Sequence, residues 1–322
     1  MLFRSGTEMG INKAMRLALK ALSYPELDIK KRYKLQRSLK NMKSPHILKP
    51  VYRKWDHRVY CGDREITLRI YTPREIRYDF AMLFIHGGGW VTESIDTYHR
   101  VCSNLADHIC CSVVSVEYRL APEFPFPNGL EDCYAAAQAL HQHADAFGVR
   151  PRDLVLIGDS AGANLAAAVS LMARDRGVFC ISKQILIYPA TYHDHTAHSP
   201  FPSVRENGTD YLLTSKRICD YMELYKSSPE DLQNPYFAPL LAGNLSEQPD
   251  TLLITAEYDP LRDEGEAYGE ALKNAGNRVT IYRMGDALHG FFSLPPHFVH
   301  VRRTYALIRA FLYPDMREEE TV

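Results

Sequence analysis

The 322-residue chain has little of several things that would classify it at once. No apolar run approaches the roughly 20 residues needed to cross a bilayer. No secretory leader is expected either, because lysine and arginine interrupt the first segment and no apolar core precedes a small-residue cleavage site. The seven cysteines (Cys61, Cys102, Cys110, Cys111, Cys133, Cys180 and Cys219) are odd in number and form no CxxC pair. A disulfide scaffold is therefore not indicated, and a reducing cytoplasm fits best. A net charge of −1 removes the overall electrostatic reason for a nucleic-acid or anionic-membrane partner. Phosphate-cradling glycine patterns are missing as well, since there is neither G-x-G-x-x-G nor a glycine loop followed by Lys-Ser/Thr. The sequence also has no internal repeat, low-complexity tract or linker marking a second independent domain.

What is present is an ordinary globular composition, 46% hydrophobic and 24% charged, long enough to bury a full core. The charge is uneven: residues 1–54 hold 14 Lys/Arg against 3 Asp/Glu, about +11, which leaves about −12 for the rest. Within that segment "NKAMRLALKAL" (12–22) reads as a basic amphipathic helix. Its Leu17, Leu19 and Leu22 stripe is expected to pack on the body while its lysines stay in solvent, without stable membrane insertion.

From residue 65 onward, short apolar runs alternate with helical patterns. The expected strands are 66–72, 81–86, 110–118, 154–158, 184–189, 251–259 and 278–284. Several are continuously hydrophobic, as strands buried on both faces are. Helices are expected near 96–109, 129–147, 161–175, 263–275 and 297–312. This order predicts an α/β fold with a mostly parallel, doubly wound sheet, its first strand antiparallel. Two segments break the alternation: basic, helical 1–50, and 191–235, which opens with the polar "TYHDHTAHSPFP" and continues with a helix near 214–227. Both read as cap segments within one domain spanning 1–322.

The sharpest local pattern is "LVLIGDSAGANLAAAVSLMARD" (154–175), a strand running through Gly158-Asp159-Ser160-Ala161-Gly162 into a helix. G-x-S-x-G in that context holds the serine on a tight turn, with its Oγ exposed and the helix N-terminus aimed at the same place. A serine hydroxyl needs a base to take its proton. His289, in "MGDALHGFF" (284–292), follows the last strand and is the best-placed histidine. His193, His195 and His198 have a spacing that suggests a metal site, but no further ligand pattern joins them, so a solvated loop and no metal are expected. For the carboxylate that orients the base, Asp259 follows a buried strand at the sheet's carboxyl edge. Asp263 is the rival but falls in the first turn of the next helix, and Asp286 is too near His289 in sequence to reach behind its ring.

Together "HGGGW" (86–90), "GDSAG" (158–162), "DPLRDEG" (259–265) and "HGF" (289–291) resemble the hormone-sensitive-lipase-like esterases, a family of α/β-hydrolases. The resemblance covers roughly residues 65–312, and "VEYRLAPEFPFP" (116–127) and "NPYFAPL" (234–240) share in it. The wording of the motifs is particularly similar to short-chain acetyl esterases of enteric bacteria. The resemblance implies the α/β-hydrolase fold, the triad Ser160, Asp259 and His289, and oxyanion donors from Gly87 and Gly88. Ala161, the residue after the nucleophile, is expected to supply a further N–H. His86, Gly89 and Asp159 are expected to hold the loops.

The function these residues imply is hydrolysis of short-chain, acetyl-like carboxylic esters through an acyl-enzyme, with no metal or organic cofactor. An amide hydrolase using the same triad, or a ligand-binding protein on a hydrolase scaffold, is the alternative. A homodimer or a regulatory protein partner stays open, with 1–50 as the first candidate surface. The glycines of "HGGGW" are expected to be bare backbone facing an oxyanion, so that Gly88→Val costs turnover far more than stability.

Overall fold

The continuous apolar runs form strands whose alternate side chains enter two separate cores. The computed structural model describes residues 3–4, 19–20, 29–42, 53–77, 80–147, 149–150 and 153–314. Among them run β1 (Phe3–Arg4), α1 (Ile29–Met42), β2 (Arg53–Cys61), β3 (Arg64–Thr72), β4 (Ala81–Ile85) and α2 (His99–Ile109). They are followed by β5 (Ser112–Val116), α3 (Asn128–Gln142), β6 (Leu154–Asp159), α4 (Ala161–Arg176) and β7 (Lys183–Ile187). After these come α5 (Pro202–Asn207), α6 (Ser215–Tyr225), β8 (Asp250–Tyr258), α7 (Arg262–Asn274), β9 (Val279–Leu288) and α8 (Val299–Leu312).

The strands make one nine-stranded sheet in the order β1-β9-β8-β7-β6-β4-β5-β3-β2. β3 alone runs against the rest, being antiparallel to both β5 and β2. In β4, Leu83 and Ile85 enter one core while Met82 and Phe84 enter the other; β6 divides Leu154 and Leu156 from Val155 and Ile157 in the same way. The first core lies under α3, α4 and α7, and the second under α2 and α8. This is the doubly wound arrangement expected, because both faces of a parallel sheet need helical cover.

Three strands go beyond the sequence reading, the first being β1, which pairs in parallel with β9 within a segment expected to be helical. β2 pairs along its whole length with β3 as an exposed edge hairpin, and its Trp55 and Tyr60 face solvent. β9 continues to Leu288 rather than ending near 284, with an irregular register against β8 at Ala256/Tyr258. That extension delivers His289 directly from a strand end. Segment 191–235 carries α5 and α6, and α1 packs against α6. The helix expected over 12–22 lies, apart from residues 19–20, outside the described residues. Among the described residues no helix is long and apolar enough to cross a membrane, and all seven cysteines are free thiols.

Candidate active site

The turn between β6 and α4 places Ser160 at φ 55°, ψ −122°, a backbone conformation that non-glycine residues rarely adopt. Its neighbours explain the glycines on either side. A Cβ on Gly158 would come within 2.4 Å of the Gly162 carbonyl oxygen, and one on Gly162 within 2.0 Å of the Ile85 oxygen. The Ser160 N–H donates to the Ile187 carbonyl at 2.9 Å, and its own carbonyl accepts from the Asn164 N–H at 3.0 Å. The elbow is thus pinned to β7 on one side and to its own helix on the other.

The three sequence-predicted polar residues meet in one hydrogen-bonded chain. His289 Nε2 lies 2.8 Å from Ser160 Oγ, and His289 Nδ1 lies 2.7 Å from Asp259 Oδ2. Asp259 follows β8, is fully buried, and accepts the Leu261 N–H on its other oxygen at 2.9 Å. That bond and the imidazole occupy both carboxylate oxygens, which fixes the plane of the His289 ring. Asp263 points elsewhere: its oxygens accept from the Ser203 N–H at 2.7 Å and from Arg262 Nε at 2.7 Å.

The glycine loop after β4 requires one correction. The Gly87 N–H donates to Asp159 Oδ1 at 2.9 Å, so it is occupied and unavailable to a ligand. Gly88, at φ 110°, and Gly89, at φ 62°, line the same cavity as Ser160, Ala161 and His289. The N–H groups of Gly88, Gly89 and Ala161 have no acceptor among the described residues. The free donors are therefore Gly88, Gly89 and Ala161, with Gly89 replacing the expected Gly87. Glycine is demanded here by space as well as by φ. A Cβ on Gly88 would stand 2.4 Å from the Thr92 carbonyl oxygen, and one on Gly89 would stand 2.5 Å from the Tyr221 ring.

His86 and Asp159 support this loop from beneath. His86 is buried, its Nδ1 is 2.8 Å from the Gly87 carbonyl, and its ring stacks on Tyr118 at 4.4 Å. Burial pushes its pKa down to about 4, so it stays neutral. Asp159 accepts the Gly87 N–H and the hydroxyls of Tyr98, at 2.9 Å, and Tyr188, at 3.3 Å. Burial still dominates these bonds and raises its pKa to about 6.

The cavity measures about 230 Å³. Its walls combine apolar Trp90, Ala190, Leu213, Ile218 and Leu261 with polar Lys40, Thr92 and Glu93. Leu213, Ile218 and Tyr221 come from the inserted segment and Lys40 from α1. Arg37 fastens α1 beside the glycine loop, donating to the Val91 and Ala121 carbonyls at 2.6 Å each, while Lys40 pairs with Glu93. Trp90 stacks face to face on Tyr225 at 4.6 Å, which ties α6 to the loop.

Sequence reasoning missed Asn164 and placed His195 wrongly. Asn164 is buried one turn into α4, accepts from Trp90 Nε1 at 3.2 Å, and donates to the Ala190 and Phe237 carbonyls at 2.9 Å each. As a lone amide in the alanine-rich face of a buried helix it was detectable, since such a group must find partners. His195 is not in a solvated loop; it is 1% exposed and lies 2.6 Å from Glu264 Oε2. Glu264 also accepts the Thr191 N–H, at 2.7 Å, so this buried pair anchors the start of the insertion to α7. Among the described residues no cluster of three His, Cys, Asp or Glu could hold a metal ion.

A strained serine at the carboxyl edge of a parallel sheet, backed by histidine and a buried carboxylate, defines the class of serine hydrolases on an α/β-hydrolase scaffold. Residues 82–293 match the family described as alpha/beta hydrolase fold. The chain is 35% identical over 247 residues to an arylesterase of Saccharolobus solfataricus, covering 76% of this chain and 79% of that one. It is also 35% identical over 258 residues to carboxylesterase NlhH of Mycobacterium tuberculosis, covering 79% and 80%. A solved hyperthermophilic esterase from the archaeon Pyrobaculum calidifontis superposes with TM-score 0.82 at 37% identity, over 94% of this chain and 98% of that one. The chain belongs to the α/β-hydrolase family, in its hormone-sensitive-lipase-like esterase branch.

Proposed function

We propose that this carboxylic ester hydrolase cleaves short-chain, acetyl-like esters through an acyl-enzyme on Ser160. The observation that carries the reading is the chain from Asp259 through His289 to Ser160, with links of 2.7 and 2.8 Å, at the wall of one cavity. His289 takes the proton of Ser160 as its Oγ attacks the ester carbonyl. Asp259 holds the ring in the tautomer with Nε2 free to accept, and stabilises the imidazolium that forms. The N–H groups of Gly88, Gly89 and Ala161 receive the charge that develops on the carbonyl oxygen, each such donor contributing about 2.7–4 kcal/mol. His289 then returns the proton to the departing alcohol, and water repeats the sequence on the acyl-enzyme. No step needs a metal or an organic cofactor.

The short-acyl preference rests on the cavity. At about 230 Å³ it is smaller than the roughly 300 Å³ lower bound of drug-sized pockets. Segment 191–235 and α1 act as its cap within a single domain, and a reducing cytoplasm suits the seven free thiols. Two measurements test the reading. Ser160→Ala should abolish p-nitrophenyl acetate hydrolysis while leaving the unfolding transition in place; a fully active variant would remove Ser160 from the mechanism. Rates on acetyl, butyryl, octanoyl and palmitoyl esters should fall with chain length, and a palmitoyl optimum would contradict the cavity argument.

A further inference from the structure

Tyr188 is a buried aromatic residue just past β7 with φ 38°, a conformation that side chains of its size avoid. Strain of this kind persists only where surrounding structure imposes it, and it concentrates at functional sites. A tyrosine that merely filled core space would not require it. Here the constraint comes from its own N–H, which donates to the Ile254 carbonyl at 2.6 Å and locks the residue to β8, the strand that leads into Asp259.

From that position Tyr188 reaches two loops at once. Its hydroxyl accepts the Phe292 N–H at 3.3 Å and donates to Asp159 Oδ2 at 3.3 Å. Phe292 lies in the turn that follows His289, while Asp159 holds the Gly87 N–H, and hence the glycine loop, through its other oxygen. The Tyr188 ring also packs against the His289 ring, with centroids 4.7 Å apart and planes tilted by 56°. Tyr188 is not among the residues that line the cavity, so it acts through the groups that do.

We propose that Tyr188 is a positioning residue for ester hydrolysis, coupling the turn that carries His289 to the glycine loop through the buried Asp159. The base must stand on one side of the reacting carbonyl and the N–H donors on another, and their separation has to match the tetrahedral intermediate. Tyr188 joins the two supports by one hydroxyl: Phe292 N–H to Tyr188 Oη, Tyr188 O–H to Asp159, and Gly87 N–H to Asp159. Removing the hydroxyl leaves each loop folded on its own elements but breaks this link between them. The effect therefore falls on the transition state and spares substrate binding.

The inference rests on the reading of Ser160 as nucleophile, and the test separates the two. Wild type, Ser160→Ala, Tyr188→Phe and Tyr188→Leu are compared for kcat and KM on p-nitrophenyl acetate. Inhibition by phenylboronic acid, which becomes tetrahedral on the serine, is measured alongside. Tyr188→Phe keeps the ring and should lower kcat about tenfold with KM changed less than about twofold, consistent with small misplacements costing up to about 100-fold. Its boronate Ki should rise by the same factor as kcat/KM falls, a parallel that a merely structural role would not produce. Tyr188→Leu, which also removes the ring beside His289, should lose more. Unchanged kcat and Ki in Tyr188→Phe, with wild type active and Ser160→Ala dead, would overturn this inference alone. A loss confined to the unfolding midpoint or to KM would overturn it as well. Full activity in Ser160→Ala would overturn both readings.

Discussion

Replacing Asp159 by asparagine is expected to make the protein more stable and less active. Burial raises the pKa of this carboxyl from 3.8 to about 6, against the lowering effect of the Tyr98 hydroxyl, the Gly87 N–H, the His289 ring and the Tyr188 hydroxyl. The folded state thus prefers the neutral acid. Its stabilising contribution is complete below pH 3.8 and is lost as the pH rises through about 6. The gap corresponds to about 3 kcal/mol of stability missing at pH 7. Asparagine has nearly the shape of the neutral acid, keeps one oxygen for the Gly87 N–H, and removes the buried charge. At pH 7 the variant should gain up to that ~3 kcal/mol. It loses the charge-assisted hydrogen bonds that hold the loop, which are roughly twice as strong as neutral ones. A looser Gly87 lets the N–H groups of Gly88 and Gly89 drift from the oxyanion, and kcat should fall about ten- to a hundredfold. Urea unfolding at pH 5, 6, 7 and 8, with kcat on p-nitrophenyl acetate at each, makes the measurement. The stability advantage should widen from pH 5 to 7 and then level off. A constant difference across that range, or an undiminished kcat, would refute the reasoning.

Asp259→Asn should lower kcat about 10⁴-fold while leaving the unfolding transition in place, because an amide facing His289 Nδ1 favours the wrong tautomer; steady-state kinetics and a melting curve read both. Gly88→Val should cost stability as well as turnover, against the expectation from sequence. Its Cβ would stand 2.4 Å from the Thr92 carbonyl oxygen at φ 110°, so a loss of about 2 kcal/mol or more is expected in denaturant titration. Leu213→Ala opens the cavity wall under the cap and should shift the best substrate from acetyl toward butyryl or longer esters in a chain-length series.

Most of the sheet was legible because strands buried on both faces must be almost wholly apolar, and 81–85 or 154–158 read as nothing else. β2 was not, because an edge strand whose side chains face solvent alternates Lys54, Asp56 and Arg58 with Trp55, His57 and Val59, and so looks like a charged connector. β9 ran past its expected end because "GDA" resembles a turn, whereas pairing with β8 carries it on to Leu288. Ser160, Asp259 and His289 could be picked out because each follows a strand end, and parallel strands bring their carboxyl ends to one edge. The order of the glycines could not be resolved in the same way. Three identical residues in a row carry no local sign of which N–H turns inward; that is decided by Asp159, 72 positions away. Tyr188 was hidden for a related reason, since nothing in "ILIYP" announces a positive φ.

Four of the eight non-glycine residues with positive φ among those described belong to the glycine loop or the active-site scaffold, and they show what the cap does. Trp90, Glu93, Ser160 and Tyr188 all have positive φ, at 59°, 73°, 55° and 38°. Each such residue costs about 1–3 kcal/mol and persists only where its surroundings enforce it. Ser160 and Tyr188 are enforced from below, through bonds to Ile187 and Ile254 in the sheet. Trp90 and Glu93 are enforced from above, by stacking on Tyr225 of α6 and by the ion pair with Lys40 of α1. The glycine loop is therefore clamped between sheet and cap, and the cap is part of what holds the free N–H groups in place. Loosening α1 or α6 would relax the donors before it exposed the serine, so on this geometry damage to the cap should lower kcat as well as raise KM.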